Sequence, residues 1–121
     1  MKTVSATIED AKVRKISDIW RRKPHFIAFG DTDAVILTLK TAEGRTVDHT
    51  FYLRLKADGS FSTAALHPKS AARQRRFAEF LIHYGIAKDF KNYNILKGVE
   101  EWKGKKVEIV PYKETGYLYL P

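Results

Sequence analysis

The fold can be worked out from one stretch of the chain, PKSAARQRRFAEFLIHYGI, which spans Pro68–Ile86 and has β-like runs on both sides. Four apolar side chains recur in it at positions i, i+3, i+4 and i+7, the spacing of one helical face: Phe77, Phe80, Leu81 and Tyr84. Gly85 provides the left-handed residue on which many helices end. The spacing predicts one amphipathic helix, which begins either at Pro68 or after Ser70 as N-cap.

The start of this helix is crowded with cations. Lys69, Arg73, Arg75 and Arg76 lie within or just before its first turns, although the partial positive charge of a helix N-terminus disfavours cations there. One interpretation is an anion site, in which the arginines and the exposed N–H groups hold phosphate. The other is an ordinary solvated helix face, with Arg75 and Arg76 close to Glu79.

Before the helix, residues 34–56 predict the clearest β-hairpin. One face of its two arms alternates as Val35, Leu37 and Leu39, then Val47, His49, Phe51, Leu53 and Leu55. The opposite face presents Thr38, Lys40, Thr50, Tyr52, Arg54 and Lys56. Gly44 lies in the turn, where a positive φ is needed. Such alternation predicts an antiparallel sheet with one packed face and one aromatic, basic face.

The other β-like segments are shorter. They lie at 3–8, with a mixed pattern that continues over 11–20, and at 25–29, 61–66, 105–110 and 117–120. Residues 88–97 are interpreted as irregular chain or a short strand. The strand at 105–110 is expected to end at Pro111, because proline lacks an N–H donor.

Strands interrupted by a single helix are the layout of an OB-fold. We therefore predict a mainly β chain with one helix, forming one domain over 1–121 as an OB-like antiparallel β-barrel. The alternative is an α+β architecture, an antiparallel sheet with one packed helix.

Composition restricts the class of protein. The 121 residues are 44% hydrophobic and 30% charged, which suits one globular domain with its own core. No apolar run approaches the roughly 20 residues that span a bilayer, and no signal peptide is recognised, so we expect a cytoplasmic protein without a membrane partner. The absence of cysteine excludes disulfides and thiolate metal sites. Plentiful Lys, Arg and Glu with few thermolabile residues are typical of a thermophile.

The charge indicates an anionic partner. Lys and Arg number 22 against 14 Asp and Glu, giving a net charge of +8. Nucleic acid is the commonest partner of such basic domains.

Aromatic and basic residues are interleaved in three places, as single-stranded nucleic acid requires, because bases stack on aromatic rings while cations follow the phosphates. The first cluster is Trp20, Arg21, Arg22, Lys23 and Phe26. The second, on the hairpin, is Lys40, Tyr52, Arg54 and Lys56. The third is Trp102 and Lys103, followed by Tyr117 and Tyr119. With Arg73 and Arg76 of the helix, these are the predicted nucleic-acid contacts.

The last part of the chain carries a resemblance. Trp102-Lys103-Gly104-Lys105-Lys106-Val107, followed by Gly116-Tyr117-Leu118, resembles the closing hairpin of small OB-fold single-stranded-DNA-binding proteins of phages and prokaryotes. In that family a W-x-G-K-x-V type turn precedes the last barrel strands, and a helix with Phe-x-x-Phe-Leu spacing precedes the turn. The resemblance implies single-stranded DNA as the ligand. The chain departs from the bacterial members in lacking an acidic C-terminal tail.

Residues suited to catalysis are sparse. The four histidines share no metal-ligand spacing. Glu79 and His83 are interpreted as a surface pair, and Asp31 and Asp33 as residues that shape a turn. We therefore predict no catalytic residue, no metal and no cofactor.

The residues together predict a non-catalytic protein that binds single-stranded nucleic acid, with DNA as the first candidate, and a homodimer is left open. The alternative is a small basic interaction or structural protein, such as a viral or chromatin accessory factor, that binds an acidic partner.

Overall fold

The structure, a computed structural model, describes residues 2–22, 31–60, 68–88, 93–112 and 115–120. Its strands are β1 (Val4–Lys15), β2 (Asp33–Thr41), β3 (Thr46–Leu53), β4 (Lys106–Tyr112) and β5 (Thr115–Leu118). Its helices are α1 (Ile16–Ile19), α2 (Pro68–His83) and α3 (Ile95–Gly98), and α3 continues into a 3-10 turn over Val99–Trp102.

The five strands form one antiparallel sheet in the order β3-β2-β1-β4-β5. The outer strands β3 and β5 also contact each other, so the sheet curls into a nearly closed barrel. The main helix, α2, lies in the chain between β3 and β4. This arrangement has OB-like topology and confirms the predicted barrel rather than a flat sheet with a packed helix.

β1 joins the strand predicted at 3–8 to the first part of the mixed pattern over 11–20, where a bulge hides the alternation. The chain becomes helical at Ile16, so residues 16–19 of that pattern are not strand. The ladder of β1 to β2 shifts register between Ile8 and Asp10. Before the shift Ala6 and Ile8 are buried, and after it Ala11 is buried and Val13 packs against the core. A bulge adds one residue and bends the strand, so the apolar side chains stay inside while β1 curves around the barrel.

The predicted hairpin is confirmed as β2 and β3. Val35, Leu37 and Leu39 of β2 face Phe51, His49 and Val47 of β3 in register, and all but His49 are buried. Gly44 has a φ of 87° in the turn between the strands, the left-handed conformation that glycine adopts without strain.

α2 closes the core, and its predicted face is confirmed. The rings of Phe77 and Phe80 are fully buried and lie 5.0 and 5.1 Å from the ring of Phe51. The helix ends as predicted, because the N–H of Ile86 donates to Leu81 at 2.8 Å and the N–H of Gly85 donates to Ile82 at 3.1 Å. These two bonds are those of a Schellman motif.

The structure decides two points that the sequence left open: where α2 begins and what conformation the segment before β4 adopts. Pro68 is the first helical residue, so Ser70 lies inside the helix and is not its N-cap. Residues 95–102 are helical and not a strand. There Asn94 accepts a hydrogen bond from the N–H of Lys97 at 3.1 Å, which satisfies a donor of the first turn.

β4 continues through Pro111, although we expected it to stop there. The recorded pairing of β4 with β1 extends only from Lys106 to Ile109, whereas its pairing with β5 reaches Tyr112. Pro111 therefore lies where β4 has a neighbour on one side only, and a strand tolerates a missing donor there. β5 begins at Thr115, two residues earlier than predicted. The predicted segments at 25–29 and 61–66 lie outside the described residues.

Within the described ranges, the structure contains no helix that is both long and apolar enough to cross a membrane.

We expect acid to destabilise the fold through His49. Burial, assisted by the charge of Arg76, lowers the pKa of His49 from 6.5 to about 4. Between these values the unfolded chain binds the proton and the folded chain does not, so the free energy of unfolding should fall as the pH drops from about 6.5 to about 4. A shift of this size corresponds to at most about 3 kcal/mol.

Urea denaturation at several pH values checks this expectation. His49→Leu should show a shallower pH dependence between neutral pH and pH 5, whereas His83→Gln, at an exposed histidine on α2, should follow the parent protein. An unchanged pH dependence in His49→Leu would contradict it.

Candidate nucleic-acid interface

The outward residues of β1, β2 and β3 form one surface, which we call the sheet face. Cross-strand register divides it into rows. Its first row, nearest the end of β1, is Arg14, Ala34 and Tyr52, and its second is Lys12, Ile36 and Thr50. Arg14 and Lys12 are exposed, Tyr52 is half-buried, and Ala34, between Arg14 and Tyr52 in the first row, is buried. A ring and two cations therefore lie within two neighbouring rows of one sheet.

The other two rows of the sheet face are less basic. The third row is Asp10, Thr38 and Asp48, and the fourth is Thr7, Lys40 and Thr46. The ammonium of Lys103 lies 3.7 Å from the carboxylate of Asp10, so part of the negative charge of the third row is matched by a cation. The acidic row separates Lys40 from the cations at the other end. Positive potential on the sheet face is therefore concentrated in the first two rows.

The connection from β1 to β2 adds to this basic end. Trp20 is 38% exposed, and Arg21 and Arg22 are exposed beside it. Two backbone hydrogen bonds fix the start of this connection. The N–H of Ile16 donates to the carbonyl of Thr32 at 2.9 Å, and the N–H of Trp20 donates to the carbonyl of Ile16 at 2.9 Å. The predicted contacts Lys23 and Phe26 lie outside the described residues.

The predicted contacts after β3 are also exposed. Arg54 and Lys56 follow Leu53, which pairs with Asp33 at the basic end of the sheet. In the hairpin cluster, Tyr52 thus lies in the first row, and Arg54 and Lys56 follow it beyond the end of β3. Lys40 lies apart from them, in the fourth row.

The third predicted cluster is dispersed by the fold. Tyr117 is exposed and pairs with Val110 on the β4–β5 hairpin, where Tyr112 is exposed as well. Tyr119 lies beside the end of α2 instead, since its carbonyl accepts from the Tyr84 hydroxyl at 2.6 Å and its ring lies 6.1 Å from that of His83.

The prediction that bases stack on Trp102 is wrong. Its side chain is 1% exposed, and the rings of Phe77 and Phe80 lie 6.1 and 5.6 Å away. The indole N–H donates to the Tyr93 hydroxyl at 2.8 Å, which satisfies the one polar group that burial would otherwise leave unpaired. Trp102 therefore belongs to the core, and its neighbour Lys103 pairs with Asp10.

Two of the three helix arginines, Arg73 and Arg76, have carboxylate partners. The guanidinium of Arg73 donates to Asp31 at 3.3 Å, and the Ser70 hydroxyl donates to the same carboxylate. Asp31 is 1% exposed. Arg76 lies 3.6 Å from Glu79, as the solvated-face interpretation predicted. These pairs favour a structural role for Arg73 over phosphate binding.

Asp33 has partners of its own. Its carboxylate lies 3.0 Å from the ammonium of Lys15 and accepts from the Thr32 hydroxyl at 2.6 Å. Asp31 and Asp33 thus each have a cation from another element, α2 and β1 respectively.

Lys12 and Arg14 were not among the predicted contacts. The bulge in β1 shifts the alternation by one residue, so a strict period of two over residues 4–14 places both side chains inside the barrel. A pattern that allows one extra residue after Ile8 predicts both contacts, because Ala11 and Val13 then continue the apolar face and Lys12 and Arg14 fall on the outer face.

Comparisons of this chain with protein-family models, with curated proteins and with solved structures found no match.

The different burial of the two tryptophans is open to a direct test. We expect iodide to quench the exposed indole of Trp20 efficiently and the buried indole of Trp102 weakly. In Trp20→Phe, only Trp102 remains, so emission should shift to the blue and lose most of its iodide sensitivity. Stern–Volmer plots of the parent and the variant check this. Equal quenching of both proteins would contradict the burial of Trp102.

We also expect Arg73→Gln to destabilise the protein, because it removes the guanidinium that pairs with the buried carboxylate of Asp31. Losing one partner of a buried charged hydrogen bond costs about 1–3 kcal/mol. Arg75→Gln, at an exposed position of the same helix, is the matched control and should change stability by less than about 0.5 kcal/mol. Urea denaturation of both variants measures the difference.

A double-mutant cycle with Asp31→Asn isolates the pair. The two changes together should destabilise less than the sum of the single changes. If Arg73→Gln and Arg75→Gln prove equally stable, Arg73 has no structural role.

Proposed function

We propose that this protein is a non-enzymatic binder of single-stranded nucleic acid, with single-stranded DNA as the preferred ligand, and that the strand crosses the first two rows of the sheet face. The observation that carries the proposal is the register of Arg14, Ala34 and Tyr52 on the outer side of an OB-like barrel. In OB-folds the strand 2–3 face and its neighbouring loops bind oligonucleotides.

Charge supports the proposal. Within the described residues, Lys12 and Arg14 form no ion pair, so none of the carboxylates described there competes with phosphate for them. The net charge of +8 attracts a polyanion at long range. A strand on these rows would neutralise cations that the fold leaves unmatched.

The type of surface favours a single strand over a duplex. Tyr52 offers a ring for stacking, which is accessible only to a base that is not paired within a duplex. In the described part of the chain, the sheet face is formed by strands and carries no helix that could enter a major groove. The closing hairpin after Trp102 resembles that of OB-fold single-stranded-DNA-binding proteins, which also supports DNA as the ligand.

The test is a salt titration of binding. A fluorescent strand of about 16 nucleotides, the upper site size of one OB-fold, should bind with a log–log salt slope of about −0.7 for each phosphate contact. Removing two cations in Lys12→Gln/Arg14→Gln should make the slope shallower by about 1.4. Tyr52→Ala should weaken binding by about 1–3 kcal/mol with little change of slope, because it removes stacking and no charge.

The matched control is Lys88→Gln/Lys97→Gln, which removes the same charge from exposed positions outside the sheet face. Its slope should remain that of the parent. Duplex DNA, single-stranded RNA and poly-glutamate are the competitors. Poly-glutamate that competes as well as single-stranded DNA would contradict the proposal and favour an acidic protein partner.

A further inference from the structure

A cavity of about 450 Å³ lies where β1 passes into α1. Lys15, Ile16, Trp20 and Arg21 line one side of it, and Asp31 and Thr32 line the other. Its volume falls in the range of about 300–1,000 Å³ that small-molecule sites occupy. The first row of the sheet face lies beside the cavity. Arg14 directly precedes the lining residue Lys15, and Ala34 lies two residues, or about 7 Å, after the lining residue Thr32.

The lining combines an aromatic ring, an apolar side chain and a cation. The half-exposed indole of Trp20 and the buried side chain of Ile16 provide an apolar wall. The exposed guanidinium of Arg21 forms no ion pair among the described residues. An aromatic ring with an unmatched cation beside it suits a ligand that has a flat base and a phosphate.

The floor of the cavity is fixed before any ligand binds. Asp31 is held by Ser70 and Arg73 of α2, and the N–H of Thr32 donates to Leu53 at 3.1 Å. The carbonyl of Thr32 accepts from Ile16 at 2.9 Å, which ties the two sides of the cavity together. A site whose walls are already bonded loses little conformational entropy on binding.

The carboxylates near the cavity do not cancel its positive charge. The side chain of Asp31 is buried against Arg73 and that of Asp33 lies against Lys15. Arg73 and Lys15 pair with these two carboxylates, and the exposed Asp18 of α1 adds one negative charge against the positive charges of Arg21 and Arg22. This balance favours an anionic ligand over a cationic one.

We infer that this cavity is a discrete subsite for one nucleotide of the bound strand, with the base against Trp20 and the phosphate on Arg21. The inference rests on the proposed function, and it adds a position at which one nucleotide leaves the sheet face and enters the protein. The strand then continues over Tyr52, so one base at the cavity and another on the sheet face bind together.

Photocrosslinking tests the subsite. The probe is a thymidine homopolymer with 4-thiothymidine at one position, moved along the strand, and mass spectrometry identifies the crosslinked peptide. We expect crosslinks to the peptide that contains Trp20 and Arg21 from one set of positions, and to the peptide that contains Tyr52 from positions displaced along the strand.

Variants give a second readout. Trp20→Leu should lower the affinity about tenfold or more, and Trp20→Phe, which keeps an aromatic ring, should restore most of it. Arg21→Gln should make the salt slope shallower by about 0.7. The matched control is Arg45→Gln, at the turn between β2 and β3 at the opposite end of the sheet, which should keep the slope of the parent.

The outcomes separate this inference from the proposed function. A strand that binds and crosslinks to Tyr52, but binds Trp20→Leu with unchanged affinity and never crosslinks to the cavity, overturns the subsite and leaves the proposed function standing. Failure of the parent protein to bind any single strand overturns both.

Discussion

The structure depends on one constraint: β1 must pair with β2 on one side and with β4 on the other while it bends around the core. Ala6 does both, opposite Thr41 and Val107. The bulge after Ile8 allows the bend and moves the alternation by one residue. The same shift keeps the apolar side chains inside and sends Lys12 and Arg14 outward. Without it, two cations would face the core and the sheet face would lose its basic rows, so the curvature of the barrel and the charge of the candidate site have a single cause.

The position of each aromatic residue follows from the element that carries it and not from its neighbours in sequence. Trp20 and Trp102 both lie beside basic residues, yet one lines a cavity at the surface and the other packs against Phe77 and Phe80. Trp102 belongs to the 3-10 turn that packs on β1, and the Tyr93 hydroxyl accepts a hydrogen bond from its buried indole N–H. A composition of aromatic and basic residues therefore indicates a ligand class before it indicates which rings are available to the ligand.

The features that could be predicted from the sequence are those set by interactions between residues close together in the chain. α2 and the β2–β3 hairpin are specified by local signals, a 3.6-residue stripe that ends in Gly85 and a strict alternation with Gly44 in the turn, and both are confirmed. The continuation of β1 beyond Ile8 is visible in the sequence only as a mixed pattern over 11–20, because a single inserted residue breaks the period that reveals a strand. The partner of Arg73 could not be predicted either, because Asp31 lies 42 residues away in the chain and only the packing of α2 brings the two together. The sheet face and the cavity, which combine residues from several elements, depend on the same long-range packing.

Buried carboxylates decide which cations can bind a ligand. Arg73 and Lys15 lie against Asp31 and Asp33, each of which is 1% exposed. Withdrawing either cation toward a phosphate would break an ion pair of a buried carboxylate, at a cost comparable to the gain from the new contact. Arg14, Lys12 and Arg21 form no ion pair within the described residues, so a phosphate can approach them without that cost. An ion pair removes one positive and one negative charge together, so the net charge of +8 is carried by side chains outside the pairs. Three of these, Lys12, Arg14 and Arg21, lie between the second row of the sheet face and the cavity beside α1.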